Sequence, residues 1–548
     1  MEFALRRPVL DQKVLMPLVT VVAFGYALSI MGFSPQSWSG FPLDDAWIHL
    51  VYGRSFAQSG MLAYNDGIPA TGCTAVLWAL CLGALHLIFS SISSVVLGTK
   101  ILGALLHGLT AAACFKIVAY ATDSLETGFI VAMFVGVSPP LAMAAVSGME
   151  IALGCSLCLW GIYSLLSRRF WLAGVMLAGA CMTRPEFAVV GVVAEAYVAV
   201  LALTGQATVG DFVKLALPSL LAGTLVIGRN LHIDGRPFPA TFYEKALVPY
   251  SSMWRETVLN GIEMIESFTP LGLITLVLGG IGLVLGRNSR PKLIACVSLC
   301  SGLLYCVASL ALIFPCDPKS FYHMRYLLPA VPLLSVALGI GIAELVRVLM
   351  PKQGKSKWRG LRVAASILII SIGCISTVLF TCLDFSYYGR KLASDVRNID
   401  EVQVVLGKRI NRCLPPAAVV ATVDAGAVRY FGRRKTIDLM GLNTPPDFIR
   451  SPIHVYAQVV DIMCLLPAWV RIMTPTPVRV VDTAVTANYA VTMNPNMARQ
   501  DLVTCVGPTE DIVRIVMKIL QRFVSVPVRC QPTEGWCRES VKPTPLKP

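Results

Sequence analysis

The chain has 548 residues, of which 55% are hydrophobic and only 14% charged, with a mean hydropathy of +0.67. That balance excludes an ordinary soluble protein and points to a polytopic α-helical membrane protein. The formal net charge of +14 would suit a nucleic-acid binder. The basic residues, however, gather in short connections such as 287–292 and 352–362, the positive-inside bias of cytoplasmic loops, so no nucleic acid is expected as a partner.

In chain order, Arg6, Arg7 and Lys13 precede a first apolar run, 14–33, which lacks a small-residue cleavage site and reads as a signal anchor. The loop that follows, 34–72, holds Arg54 as its one lysine or arginine, which places the N-terminus in the cytoplasm and this loop outside. Here Asp44 and Asp45 stand side by side at the membrane boundary. Two adjacent carboxylates near a bilayer repel each other and lose hydration, a setting used to handle a proton, a metal or a sugar hydroxyl. They also suit the start of an amphipathic helix over 46–59.

Apolar runs near the ~20 residues needed to cross a bilayer then recur at 73–89, 95–120, 127–146, 151–166, 170–182, 187–203, 212–231, 271–285, 293–314, 329–350 and 364–382. Alternation about the basic connections puts Glu150, 184–186, 232–268 and 315–325 outside, provided that either 73–89 or the Pro139-Pro140-broken 127–146 does not cross. The count predicts about 11 spans in a membrane domain over 1–383. Arg184-Pro185-Glu186 interrupts an apolar stretch, so its charges must pair or face a wet cavity. From Asp384 the composition becomes that of a soluble α/β domain, 384–548, outside the membrane. It is expected to have a helix at 401–413 and strands at 419–423, 436–439, 478–481 and 489–493. Most of the 17 cysteines lie in apolar runs; Cys530 and Cys537 flank a polar turn, where they pair in an oxidising compartment or stay free.

The outer side thus collects Asp44, Asp45, His49, Arg54, Glu150, Arg184, Glu186, Lys245, His323 and Arg325. Carboxylates beside cations suit transfer from a lipid-linked phosphosugar, in which cations hold the departing phosphate and a carboxylate takes the acceptor's proton. No nucleotide-sugar pool exists outside the cytoplasm, so a polyprenyl-phosphate donor in the bilayer is the expected partner, with a glycan, lipid or protein as acceptor. Asp44 is the expected general base. Asp45 either orients the acceptor or shares a divalent cation, Mg2+ or Mn2+. Lys245, Arg184 and Arg325 are expected on the donor phosphate, since they outnumber the carboxylates left over. A transporter or flippase for a lipid-linked saccharide would also place charges at helix breaks, and an inactive scaffold would keep the same fold.

Asp44-Asp45-Ala46-Trp47-Ile48 with Tyr52 and Arg54, followed by Ser147-Gly148-Met149-Glu150, Thr183-Arg184-Pro185-Glu186, Pro239-Ala240-Thr241 with Lys245, Arg325-Tyr326-Leu327-Leu328-Pro329 and Asp424-Ala425-Gly426-Ala427 through Leu442, resembles the mycobacterial terminal arabinofuranosyltransferases and their bacterial relatives. The motifs fall in that family's order across roughly residues 40 to 445. The resemblance implies a GT-C fold in the bacterial plasma membrane and inverting transfer from a decaprenyl- or undecaprenyl-phosphate sugar, with or without a metal. It also implies a first-loop aspartate as base and a role in building the cell envelope. Ile151, Ala240 and Cys316-Asp317-Pro318 depart from the family pattern, and the last two leave the identity of the sugar open.

Overall fold

The computed structural model describes residues 11–246, 272–286, 289–312, 325–349, 384–444, 462–465, 478–484 and 502–508. Most of them form long apolar helices. Six are long and apolar enough to cross a membrane: Gln12–Phe33, Ile92–Thr122, Pro185–Leu203, Val209–Asp234, Ser289–Ser309 and Ala330–Leu349. Further crossings would use shorter apolar helices and the run 364–382, which lies outside the described residues, as do 489–493, Cys530 and Cys537.

The first helix, α1 (Gln12–Ser29), leads to α2 (Asp44–Ser59), which begins where extended Leu43 turns into the helix and stops at left-handed Gly60, φ 70°. A short hairpin follows, β1 (Ala63–Asn65) with β2 (Ile68–Pro69), then α3 (Val76–Ile88) and the 31-residue α4 (Ile92–Thr122). Ser91 opens α4 by accepting the Ser94 N–H at 3.0 Å. Both ends of α3 lie toward the cleft. Its leading Thr74 faces the same cleft as α2, and His86 in its last turn lies 3.1 Å from the Tyr430 hydroxyl on that side. Thirteen residues also span only about 20 Å. Of the two runs that alternation left in question, 73–89 is therefore the one that stays on the cleft side.

The other run is a bent helix pair, α5 (Leu125–Gly136) and α6 (Pro139–Ala145), angled by 63°. Pro140 has no N–H to give the Gly136 carbonyl four residues back, and buried His107 of α4 takes its place, Nε2 at 2.9 Å. Beyond it run α7 (Ile151–Leu166), α8 (Phe170–Thr183), α9 (Ala188–Leu203), α10 (Val209–Asp234), the short α11 (Ala240–Ala246), α12 (Gly272–Leu285), α13 (Ser289–Leu312) and α14 (Ala330–Leu349). A Thr208–Asp211 capping box opens α10 and left-handed Gly235 ends it. Far from the cleft the helix ends carry the basic residues: Arg290 pairs with Asp123 at 3.4 Å, and Arg347 donates to the Thr122 carbonyl at 2.7 Å.

The module beyond the cleft end of the bundle, called outer for that position, opens with helix α15 (384–399), a π-helical turn Asp400–Val404 and α16 (Val405–Cys413). Five strands follow: β3 (Val419–Thr422), β4 (Lys435–Asp438), β5 (Ile462–Leu465), β6 (Val478–Ala484) and β7 (Leu502–Pro508), in the order β4-β3-β5-β7-β6, with α17 (Ala427–Gly432) between the first two. The β4-β3-β5 half is parallel and the β5-β7-β6 half antiparallel. β5 and β7 are additions to the strands expected from sequence.

This module is interlocked with the first loop. Asn65 exchanges two hydrogen bonds with the Thr436 backbone, at 2.9 and 2.8 Å, as a strand residue would. Tyr64 donates to the Ala425 carbonyl at 2.6 Å, Tyr52 donates to Asn443 Oδ1 at 2.9 Å, and Trp47 packs on the Tyr430 and Phe431 rings.

Candidate active site

Helix α2 points its first turn into a cavity of about 380 Å³ at this end of the bundle. Asp45 reaches it and pairs there with Arg325, Nη1 donating to Oδ2 at 2.7 Å. Glu150 arrives from the turn before α7, where Gly148 adopts φ 81°, a conformation glycine allows, and where a side chain would also meet the Phe41 ring at 2.6 Å. Arg184, at the break between α8 and α9, bridges two carboxylates: Nη1 to Glu150 Oε1 and Nη2 to Glu186 Oε1, both 2.9 Å. His49 Nε2 lies 3.2 Å from Glu150 Oε2, and the two guanidinium groups each sit 4.9 Å from the centre of the Tyr326 ring. Val189, Phe238, Phe242 and Ala308 give the same cavity an apolar wall, and Leu442 and Asn443 reach it from the outer module.

Asp45, Glu150, Arg184, Glu186 and Arg325 are therefore brought together, whereas Asp44 is not among the cavity's lining residues. Its Oδ2 accepts the Gly426 N–H at 2.6 Å and its Oδ1 the Ala427 N–H at 2.7 Å. Successive residues at a helix start diverge by about 100°, so one carboxylate faces the cavity and its neighbour the outer module. The expected order of roles, Asp44 on the acceptor with Asp45 in support, is thus set against a structure in which Asp45 faces the cavity and Asp44 the backbone of 426–427. Nine residues beyond Asp45, about 14 Å along the helix axis, Arg54 donates to the Tyr430 carbonyl at 2.7 Å and stacks over that ring at 4.4 Å, so it holds the outer module and is not among the cavity's lining residues. Lys245 lies on α11; its side chain and all of His323 lie outside the described residues.

The idea that the cleft cations lack carboxylate partners fails, since Arg184 and Arg325 are both engaged, and the described carboxylates outnumber them by one. Metal binding finds little support in the donor set. Among the described residues no group of three His, Cys, Asp or Glu could hold an ion, and Asp45 Oδ2 faces a guanidinium instead. Tyr326, Phe238, Phe242 and Asn443 were not singled out from sequence. Tyr326 follows Arg325 within a quoted motif and Asn443 adjoins another, so the motif edges carried the signal.

Burial sets the titration of the carboxyls. In Glu150 it works against ionisation, but His49 and Arg184 prevail and hold the group at about 2. Burial raises Asp44 well above the usual range, aided by Asp424 and opposed by its two N–H donors. Asp424 and Asp438 are pushed up to about 6, by burial first and with the charge of Asp45 adding to both. A carboxyl raised in the folded state binds its proton more tightly there than in the unfolded chain, so its contribution is full below about pH 4 and is lost as pH rises through about 6. Asp424→Asn, which keeps an acceptor for the Gln403 amide (2.9 Å), is therefore expected to flatten the fall in thermal midpoint between pH 4 and 6. An unchanged slope would show that Asp424 does not titrate in this window.

A family model described as Domain of unknown function (DUF8728) matches residues 397–510. No curated protein matches the chain by sequence. Among solved structures, ArnT from Cupriavidus metallidurans bound to undecaprenyl phosphate is similar, with 13% identity, a TM-score of 0.53, and 89% of this chain and 97% of that one covered. The apo state of the same protein (12%, 0.47, 89% and 97%) and the archaeal oligosaccharyltransferase AglB from Archaeoglobus fulgidus (10%, 0.41, 83% and 69%) are more distant. The polytopic helical chain has the GT-C membrane fold, with the charged cleft at one end of its bundle.

Proposed function

We propose that the protein is an inverting glycosyltransferase that moves a sugar from a polyprenyl-phosphate donor to a hydroxyl of a cell-envelope glycan, lipid or protein. The observation that carries this reading is the cavity itself. Asp45–Arg325 and Glu150–Arg184–Glu186 meet an apolar wall from α9, α11 and α13, so one space offers charge for a phosphate and a face for an isoprenoid. The likeness to a chain crystallised with undecaprenyl phosphate supports it. The cleft faces out of the cytoplasm in this reading, because Arg168, Arg169, Arg290, Lys292 and Arg347 mark the other end. The module from 384 onward then lies outside, in a bacterial plasma membrane.

In the transfer, the acceptor oxygen bonds to the anomeric carbon from the face opposite the phosphate. The carbon–oxygen bond to phosphate breaks with its electron pair on the phosphate, and Asp45 takes the acceptor's proton. Arg325 and Arg184 turn toward the departing phosphate, with Lys245 and His323 as further candidates for it. Glu150, ionised throughout, holds Arg184 and stabilises positive charge growing on the sugar. The sugar is open; the arabinofuranosyl pattern makes a pentofuranose the first to try.

Purified chain in liposomes, offered a panel of polyprenyl-phosphate sugars with a membrane glycan acceptor, is expected to yield a transferred product with inverted anomeric configuration. Movement of donor across the bilayer without transfer would establish a flippase instead, and neither transfer nor movement with any donor would point to an inactive scaffold. EDTA is expected to leave the rate unchanged. Loss that Mg2+ or Mn2+ restores would return a metal to the site.

A further inference from the structure

Lys100 sits in the third turn of α4 and is fully buried. An ammonium inside a membrane bundle is costly, and chains keep one where it has a task and partners. Lys100 Nζ donates to the Val146 carbonyl at 2.9 Å and lies 4.8 Å from the centre of the Phe41 ring. Asp400, in the π-helical turn of the outer module, adds a favourable charge through space, which Lys100 shares with Lys408. Gly40 is packed so closely on Asp400 that a side chain there would stand 2.7 Å from Oδ1.

Val146 is where α6 ends, so its carbonyl has no helical donor and carries the negative end of the helix. Four residues later comes Glu150. Between them, Ser147 donates to the Ala144 carbonyl at 2.6 Å, Trp78 Nε1 donates to the Gly148 carbonyl at 2.9 Å, and Gly148 lies against Phe41. The turn is thus held at its start by Lys100 and at its middle by Trp78 and Phe41, and Phe41 also lies beneath the ammonium.

We propose that Lys100 is a positioning residue for Glu150: by pinning the Val146 carbonyl it fixes the turn that delivers the Glu150 carboxylate to Arg184 and His49, and Asp400 supplies its counter-charge from the outer module. This rests on the reading of the cleft as a transfer site. Lys100 touches no cavity residue's charge itself; its effect passes through the backbone of 146–150. Loss of one buried charge from a wall of the bundle therefore reaches the chemistry as a misplaced carboxylate.

The test is Lys100→Met in the full chain, which keeps the stem on Phe41 and removes the donor. Amides of 147–150 are expected to exchange hydrogen faster than in the wild type while the rest of α4 and α7 is unchanged. The kcat for transfer should fall by up to about 10²-fold, the scale of a 1 Å misplacement, with little change in KM for the donor. Glu150→Gln in the Lys100→Met background should cost little beyond the worse single variant. Unchanged exchange at 147–150, or losses that simply multiply, would overturn the proposal. Asp400→Asn, outside the membrane, is expected to move the same amides in the same direction, and it carries the test if Lys100→Met fails to accumulate. A wild type that transfers no sugar would count against the functional reading alone, since the exchange measurement still decides the role of Lys100.

Discussion

Asp45→Asn is expected to abolish detectable transfer, a loss of about 10²–10⁴ for removal of a general base, without loss of folding. The change is nearly isosteric, it keeps an oxygen for Arg325 to meet at the 2.7 Å contact, and it leaves the outer-module contacts of α2 untouched. Asp44→Asn should behave differently. It replaces one of the two oxygens that accept the Gly426 and Ala427 N–H groups by an amide that cannot accept. Its expected signature is a lower thermal midpoint and easier proteolysis after residue 384, with the surviving folded fraction still active. Steady-state transfer normalised to folded protein separates the two. If Asp45→Asn kept near wild-type turnover while folded Asp44→Asn lost it, the roles would have to be exchanged.

The second large effect is expected at Arg184. It is buried and is the bridging cation between Glu150 and Glu186, so Arg184→Ala leaves two carboxylates facing each other with little water. Breaking a buried ion pair on one side costs about 3–5 kcal/mol, a large share of the roughly 5–15 kcal/mol that holds a native protein together. The triple change Arg184→Met, Glu150→Gln, Glu186→Gln removes all three charges together and should recover most of the thermal midpoint in detergent, while transfer stays absent. Should Arg184→Ala keep a wild-type midpoint and lose only donor binding, the guanidinium would be a ligand for phosphate and not a keystone of the wall.

The helical membrane character was plain from the hydrophobic runs, and the charged breaks at Glu150 and Arg184–Glu186 were correctly singled out because lipid tolerates no unpaired charge there. Which carboxylate of Asp44-Asp45 faces the cavity was not legible. The answer depends on the helix phase at Leu43 and on a backbone segment almost four hundred residues away, and neither leaves a mark in the local sequence. The place of Arg54 was hidden for a similar reason: its type suits a phosphate, but its distance along α2 gives it to Tyr430. Pairing was one of the two fates the sequence left open to Arg184, but which acids it would take was not fixed, since Glu150 and Arg184 come from different loops and meet through the packing of α7 on α8. The tight seat of Gly72, where a side chain would stand 2.1 Å from the Leu442 carbonyl, shows how closely the two distant segments had to be read together.

The bond from Gly426 to Asp44 spans 382 positions, and this has a bearing on biogenesis. At synthesis rates of about 5–20 residues per second, roughly 20 to 80 seconds separate the emergence of α2 from that of the segment it grips. Throughout that interval the nascent protein sits in the bilayer with Asp44 and Tyr52 lacking their eventual partners. The membrane helices must therefore assemble around an empty seat, and the last quarter of the polypeptide acts as the closing piece, so a chain truncated before residue 426 carries the bundle's charged residues but lacks the wall that Leu442 and Asn443 give the cleft.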